Sequence, residues 1–244
     1  MIDFTIQVAG HVFSVSAMYE STKDYCGKYL CEKEPQFHVS ITPEALSAEQ
    51  EASKREALVE GIPLQDYSEQ RLETLALQRK LTENLFDRNI LLFHGSAIAV
   101  DGQSYLFIAK SGTGKSTHSA LWRQFLGDRA VMVNDDKPFL EIKEEGVTVH
   151  GSPWNGVHKL GNNISVPLKA ICILERGPEN KLRQVSAKDS VYMLMQQSSR
   201  PHDSALLTAY MDMLDKLSQK VCFYRLSCNT DIEAAQVAYE GMCK

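Results

Sequence analysis

The chain has 244 residues, a formal charge of −5, and 43% hydrophobic and 23% charged side chains. That length and apolar content suit one large domain or two small ones and exclude a disordered tail. No apolar run approaches the roughly 20 residues that cross a bilayer, and no Lys/Arg cluster marks a nucleic-acid surface, so neither a membrane nor a nucleic acid is an expected partner.

The opening "MIDFTIQVAG" lacks a basic segment followed by a long apolar one, so no signal peptide is expected and the cytoplasm is the expected location. The cysteines at 26, 31, 172, 222, 228 and 243 do not have zinc-ligand spacing, and reduced thiols are expected.

In chain order, "FTIQVAGHVFSVSA" alternates around Ala9-Gly10 and predicts a hairpin. "QFHVSITP" is a strand closed by Pro43. Ser47 and Gln50 have capping-box spacing and open a charged helix that runs to Gly61. "YSEQRLETLALQRKLTENLF" puts Leu77, Leu81 and Leu85 on one face with Leu72 and Leu75 beside it, a helix buried on one side. Residues 1–88 thus read as an N-terminal α+β lobe without obvious chemistry, and residues 89–244 as a second domain.

In that second domain "ILLFHGSAIAV" is an apolar strand, Asp101-Gly102 a hairpin turn, and "SYLFIA" the return strand. A helix is expected from about Lys115 to Phe125, then the strand "RAVMV" and a hairpin of "PFLEI" and "VTVHG" turning near Glu145-Gly146. "PLKAICILE" is a buried strand containing Cys172. Helices follow near Lys188–Gln197 and Asp203–Lys220, the latter with Leu206, Tyr210, Met213 and Leu217 along one face. "VCFYRLS" is a late strand, and Thr230 with Glu233 caps a last helix.

Chemistry enters between "SYLFIA" and the following helix. Ser111-Gly112-Thr113-Gly114-Lys115-Ser116 keeps every part of the G-x-x-x-x-G-K-[ST] loop that touches phosphate. Backbone N–H groups and a helix N-terminus hold phosphate oxygens, the lysine neutralises the outer phosphates, and the hydroxyl offers an oxygen to Mg²⁺. Ala109 replaces the loop's first glycine, a departure that matters only if φ there must be positive. Ser111 to Thr117 are therefore the nucleotide-binding candidates, with ATP and Mg²⁺ as cofactors. About 20 residues on, "NDD" ends an apolar strand, where Asp135 and Asp136 can divide metal binding and proton removal between them.

"HGSAIAVDGQSYLFIAKSGTGKSTHSALW", "VNDDKP" and "GSPWNG" together resemble HPr-kinase/phosphorylase-type P-loop kinases, which are related to ATP-dependent phosphoenolpyruvate carboxykinases. The likeness covers Leu92 to Ile173. It implies an α/β fold, a mixed sheet in which an antiparallel hairpin leads into the phosphate loop, and it makes residues 89–244 the catalytic domain. It also implies that His94 lies near metal and phosphate. Asp136 is then the metal ligand with Ser116, and Asp135 the base, so that His94, Lys115, Asp135 and Asp136 form the catalytic set. HPr itself is not carried over as substrate, and no oxaloacetate constellation is present.

Trp154 in "GSPWNGVHKLGNN" suggests a packed anchor, with His158, Lys159 and Asn162 as contacts without assigned roles. Arg176 and Arg200 read as solvated charges or as cations reaching a phosphate, and His118 as a helix residue near the nucleotide. The expected function is γ-phosphate transfer to a hydroxyl, with the serine of a peptide or small protein as acceptor. The alternatives are a kinase of a small-molecule hydroxyl such as free serine and an ATP-binding regulatory module; a homo-oligomer is left open.

Overall fold

The computed structural model describes residues 1–60, 63–201 and 203–243. The protein is mixed α/β and divides into two compact units, Met1–Asp87 and Arg88–Lys244. Among the described residues, no helix is long and apolar enough to cross a membrane, and all six cysteines are free.

The first unit starts with strands β1 (Ile2–Val8) and β2 (His11–Ala17), paired antiparallel. The turn between them needs positive φ at both central residues, and Ala9 (50°) and Gly10 (79°) supply it. Strand β3 (Phe37–Ser40) adds to β2 in parallel, and helices α1 (Glu20–Cys26), α2 (Pro43–Glu60) and α3 (Glu69–Phe86) complete the unit. Leu72, Leu77, Leu81 and Leu85 of α3 are buried as the stripe requires, while Leu75 is only half-buried.

Helix α2 begins at Pro43, not at Ser47. Thr42 Oγ1 accepts the Ala45 N–H (3.4 Å), and proline suits the first helical position, where its missing N–H costs nothing. Ser47 lies inside the helix and donates to Pro43 O (3.2 Å). Gly61, the expected helix end, lies outside the described residues. Glu73, fully buried on α3, accepts the backbone N–H groups of Met18 (2.5 Å) and Tyr19 (3.1 Å) ahead of α1.

In the second unit, among the described residues, nine strands form one curled mixed sheet. Expected as one strand, "ILLFHGSAIAV" is two: β4 (Ile90–Leu92) and β5 (Ser96–Val100). Gly95 separates them in close contact with β6 (Gln103–Ile108): a Cβ there would stand 2.8 Å from Leu106 Cδ1 and 3.0 Å from Phe107 O. The β5–β6 turn is Asp101-Gly102, both at positive φ (51° and 79°). After β6 come α4 (Lys115–Leu126), β7 (Ala130–Asn134), β8 (Phe139–Lys143) and β9 (Gly146–His150). Lys143 pairs with Gly146, so the β8–β9 turn is Glu144-Glu145.

Strand β10 (Ser165–Arg176) then runs parallel to β6, while its first residues pair antiparallel with β9. Sequence reading misses β11 (Lys181–Val185), a mostly exposed strand whose polar pattern carries no alternation to detect. It pairs with β12 (Cys222–Cys228), which lies parallel to β10.

Helices α5 (Ala187–Gln197), α6 (Leu207–Lys220) and α7 (Glu233–Met242) follow their expected spans, with two corrections. Helix α6 starts at Leu207 after one tight turn over Ser204–Leu206, so Leu206 is exposed while Tyr210, Met213 and Leu217 are buried. The expected Thr230–Glu233 cap does not form: Ile232 is the N-cap residue of α7, with no side-chain cap. The turn before it is held by Asn229 Oδ1, which accepts the Asp231 N–H (3.0 Å).

Replacing Gly95 by alanine is expected to destabilise the protein by about 1–3 kcal/mol, because the added methyl must displace Leu106 and the Phe107 carbonyl. Urea unfolding measures this, and an unchanged midpoint would contradict the close contact.

Candidate active site

Strand direction gathers the site. Strand β5 is antiparallel to both β6 and β7, so β6 and β7 point the same way with β5 between them. The loop after β6, the acids after β7 and His94 before β5 therefore share one end of the strands, spread over roughly two strand spacings, or about 10 Å.

The loop runs from Ala109 to Gly114, with Gly112 at φ 74° and Gly114 at φ 124°. These two positions require glycine. Ala109 is not at positive φ; it is fully buried among Phe107, Leu121 and Trp122, where its methyl fills core space. The departure from the motif therefore strains nothing. Thr113 N donates to Lys110 O (3.1 Å), and His118 N donates to Gly114 O (2.9 Å), which starts α4. Ser111, Ser116 and Thr117 are exposed, and Thr113, Gly114 and Lys115 are half-buried.

Helix α4 is fixed by its inner face. His118, Leu121, Trp122 and Leu126 are buried at i, i+3, i+4 and i+8. Ser119 Oγ meets Ser96 Oγ of β5 (2.6 Å) in the interior. His118 is a core residue: its Nε2 accepts from Trp122 Nε1 (3.0 Å) and its ring lies edge-on to Phe107. Burial pushes its pKa down from 6.5 to about 4, so the ring is neutral at pH 7.

Lys115 is placed at the mouth of the loop, its Nζ 3.4 Å from Ala109 O. Burial lowers its pKa; Asp136 opposes that shift and Lys137 adds to it. Asp136 Oδ1 lies 3.3 Å from His94 Nε2. That contact raises the pKa of His94, but burial together with Lys137 and Lys115 outweighs it, leaving the imidazole below its usual value and neutral. Burial raises the carboxyl of Asp136, while the His94 hydrogen bond and the lysine charges bring it net below its usual value. His94, Lys115, Asp136 and Lys137 thus form one electrostatic cluster.

Asp135 has a partner of its own. It is buried, and its Oδ1 accepts the N–H of Gly156 (2.9 Å). An added Cβ at Gly156 would lie 3.2 Å from Asp135 Oδ2. The segment 151–156 is anchored by Trp154, only 2% exposed, and by Asn134, a residue that sequence reading passed over. Asn134 Nδ2 donates to Ser152 O (3.0 Å) and Trp154 O (3.3 Å), while its Oδ1 accepts the N–H groups of Asp136 (2.8 Å) and Lys137 (2.6 Å).

Gln197 is a second amide at the site. At the end of α5, with its amide oriented to suit its neighbours, it donates to Ala109 O (3.2 Å) and His94 O (3.1 Å). Its main-chain carbonyl accepts the His94 N–H (2.6 Å). A glutamine closing a helix carries no local pattern that announces this.

His158 and Lys159 sit on an exposed tip, with Lys159 at φ 50°. Asn162 instead ties the loop to β7, donating to Met132 O (2.9 Å). Arg200 is exposed. Arg176 donates to the carbonyls of Gly112 and Thr113.

The donor set fits a phosphorylated ligand and Mg²⁺. A cradle open above Gly112 and Gly114 adjoins a half-buried ammonium. Asp136 shares the charge cluster of that ammonium, and Ser116, next in the chain, has an exposed hydroxyl; carboxylate and hydroxyl are the oxygen chemistry Mg²⁺ takes when phosphate completes its shell. Among the described residues, no three His, Cys, Asp or Glu side chains group as a metal cage.

No protein-family model matches the chain, and no curated protein matches it. One solved structure similar to it is that of the Hpr(Ser) kinase/phosphatase from Coxiella burnetii, at 12% identity and a TM-score of 0.29, covering 51% of this chain and 93% of that one. A likeness of that size carries no weight for the site.

The depressed His118 pKa makes stability depend on pH. Below 6.5 the unfolded chain binds this proton while the folded one does not, so stability falls as pH drops from 6.5 toward 4, by up to about 3 kcal/mol from this group. In His118→Gln the acid loss measured by urea unfolding at pH 7.5 and pH 5 is expected to shrink; an equal loss would place the titration elsewhere.

Proposed function

We propose that the Arg88–Lys244 unit is an ATP- and Mg²⁺-dependent phosphotransferase acting on a hydroxyl, with the serine of a peptide or small protein as the first acceptor to test. One observation carries the reading. A strand–glycine loop–helix turn presents Lys115 in the same charge cluster as Asp136, which follows the next strand of like direction.

In this reading the loop amides and Lys115 hold the β- and γ-phosphates of ATP, the substrate that donates the phosphoryl group. Ser116 and Asp136 would hold Mg²⁺, which neutralises phosphate charge when bound. His94, neutral, donates its Nε2–H to Asp136 and fixes that carboxylate. Asp135 receives the acceptor's proton on Oδ2, while its Oδ1 stays on the Gly156 N–H. The acceptor oxygen bonds to the γ-phosphorus as the bond to the bridging oxygen breaks, and ADP leaves. Positioning and fixed charge provide most of such catalysis.

Two substitutions separate binding from chemistry. Lys115→Ala is expected to abolish the heat of Mg·ATP binding in titration calorimetry. Asp135→Asn should bind Mg·ATP nearly as the native protein does while turnover falls by about 10²- to 10⁴-fold, the usual cost of a lost general base. Turnover is read as transfer of labelled phosphate from ATP to a serine-containing peptide or to free serine, and the label's destination identifies the acceptor class. Normal turnover by the Asp135 variant would remove it as base, and no heat from native protein would end the proposal.

A further inference from the structure

We infer that Arg176 is a positioning residue for the phosphate cradle, holding from outside the loop the peptide plane that aims the Gly114 N–H inward. The inference rests on the function proposed above. Strand β10 pairs with β6 in parallel up to Ile173 opposite Ile108, and then continues three residues further. That extension brings Arg176 alongside the glycine loop. Its Nε donates to Thr113 O (3.3 Å), and its Nη2 donates to Gly112 O.

The consequence follows from the peptide bond itself. In a planar trans peptide the carbonyl and the next residue's N–H point opposite ways. A cation holding the Thr113 carbonyl therefore turns the Gly114 N–H away from itself. The Thr113 N–H, opposite the Gly112 carbonyl, is already used on Lys110 O (3.1 Å), so Gly114 supplies the N–H this clamp directs.

Such a clamp has something to do, because Gly112 and Gly114 can rotate their peptide planes at little steric cost. Charge-assisted bonds select one orientation and polarise those peptides toward stronger donation. Glu175, the neighbouring acid, is paired with Arg225, so the charge of Arg176 is directed to the loop.

The test compares native protein with Arg176→Ala, Arg176→Gln and Arg176→Lys by calorimetry, using Mg·ATP and Mg·tripolyphosphate as ligands. Arg176 is exposed, so the unfolding midpoint should not move. Affinity for both ligands is expected to fall in Arg176→Ala by the same factor, on the order of ten. Arg176→Lys should recover part of it, since one ammonium cannot span two carbonyls as a planar fork does, and added methylguanidinium should restore Arg176→Ala. Native-like affinity in Arg176→Ala, or a loss confined to ATP, would overturn the role of Arg176 while leaving the phosphotransferase reading standing. Absence of binding by native protein would overturn both.

Discussion

A single buried amide holds the polar end of the second unit together. Asn134, fully buried at the last position of β7, donates to the Ser152 and Trp154 carbonyls and accepts from the Asp136 and Lys137 N–H groups. Left unpaired in the interior, any one of those polar groups would cost about 1–3 kcal/mol, so the contacts stand or fall together. The amide fixes the turn that carries both acids and docks the 151–156 segment on it. Trp154 gives that segment an apolar anchor, and Gly156 an N–H that reaches Asp135. Asn134 thus sets where Asp135 and Asp136 leave the end of β7.

The long strand β10 does the corresponding work for the glycine loop. Its first residues pair antiparallel with β9 and its remainder pairs parallel with β6 and β12, so one strand belongs to both arms of the curled sheet. The 151–156 segment lies just after β9, and Arg176 lies at the far end of β10. Backbone hydrogen bonding, which every buried peptide must satisfy, therefore sets the two surroundings of the site from a common frame.

Much of this was legible in the sequence because it depends on local rules. Ala9-Gly10 and Asp101-Gly102 make hairpins since both need positive φ, and the glycine loop between β6 and α4 is readable because Gly112 and Gly114 stand where the backbone takes positive φ. What was not legible depends on partners far along the chain. "ILLFHGSAIAV" is uniformly apolar, yet it divides at Gly95 because Leu106 and Phe107 leave no room for a side chain. Ser47 has the spacing of a cap, but Thr42-Pro43 upstream is the better helix start. In the candidate site, Asn134 and Gln197 bind through amides to distant carbonyls and N–H groups, and nothing in their neighbourhoods separates them from surface amides. Arg176 could be read as a solvated charge because its partners are main-chain oxygens, which no motif spells.

The divergence of the two acids has an electrostatic reason. Two adjacent carboxylates facing the same lysine would repel, and one would be driven toward protonation. Here Asp136 takes the charged neighbours, with Lys115, Lys137 and the His94 hydrogen bond all favouring its ionised form, while Asp135 turns to a backbone N–H. Each acid has its own donors. The neutral state of His94 belongs to the same balance: a charged imidazole would sit in the field of two lysines, whereas the neutral ring still orients Asp136 and leaves the cluster with more positive than negative charge. Burial keeps that excess from being screened as it would be in water, and under the function proposed above an anion beside Lys115 would complete it.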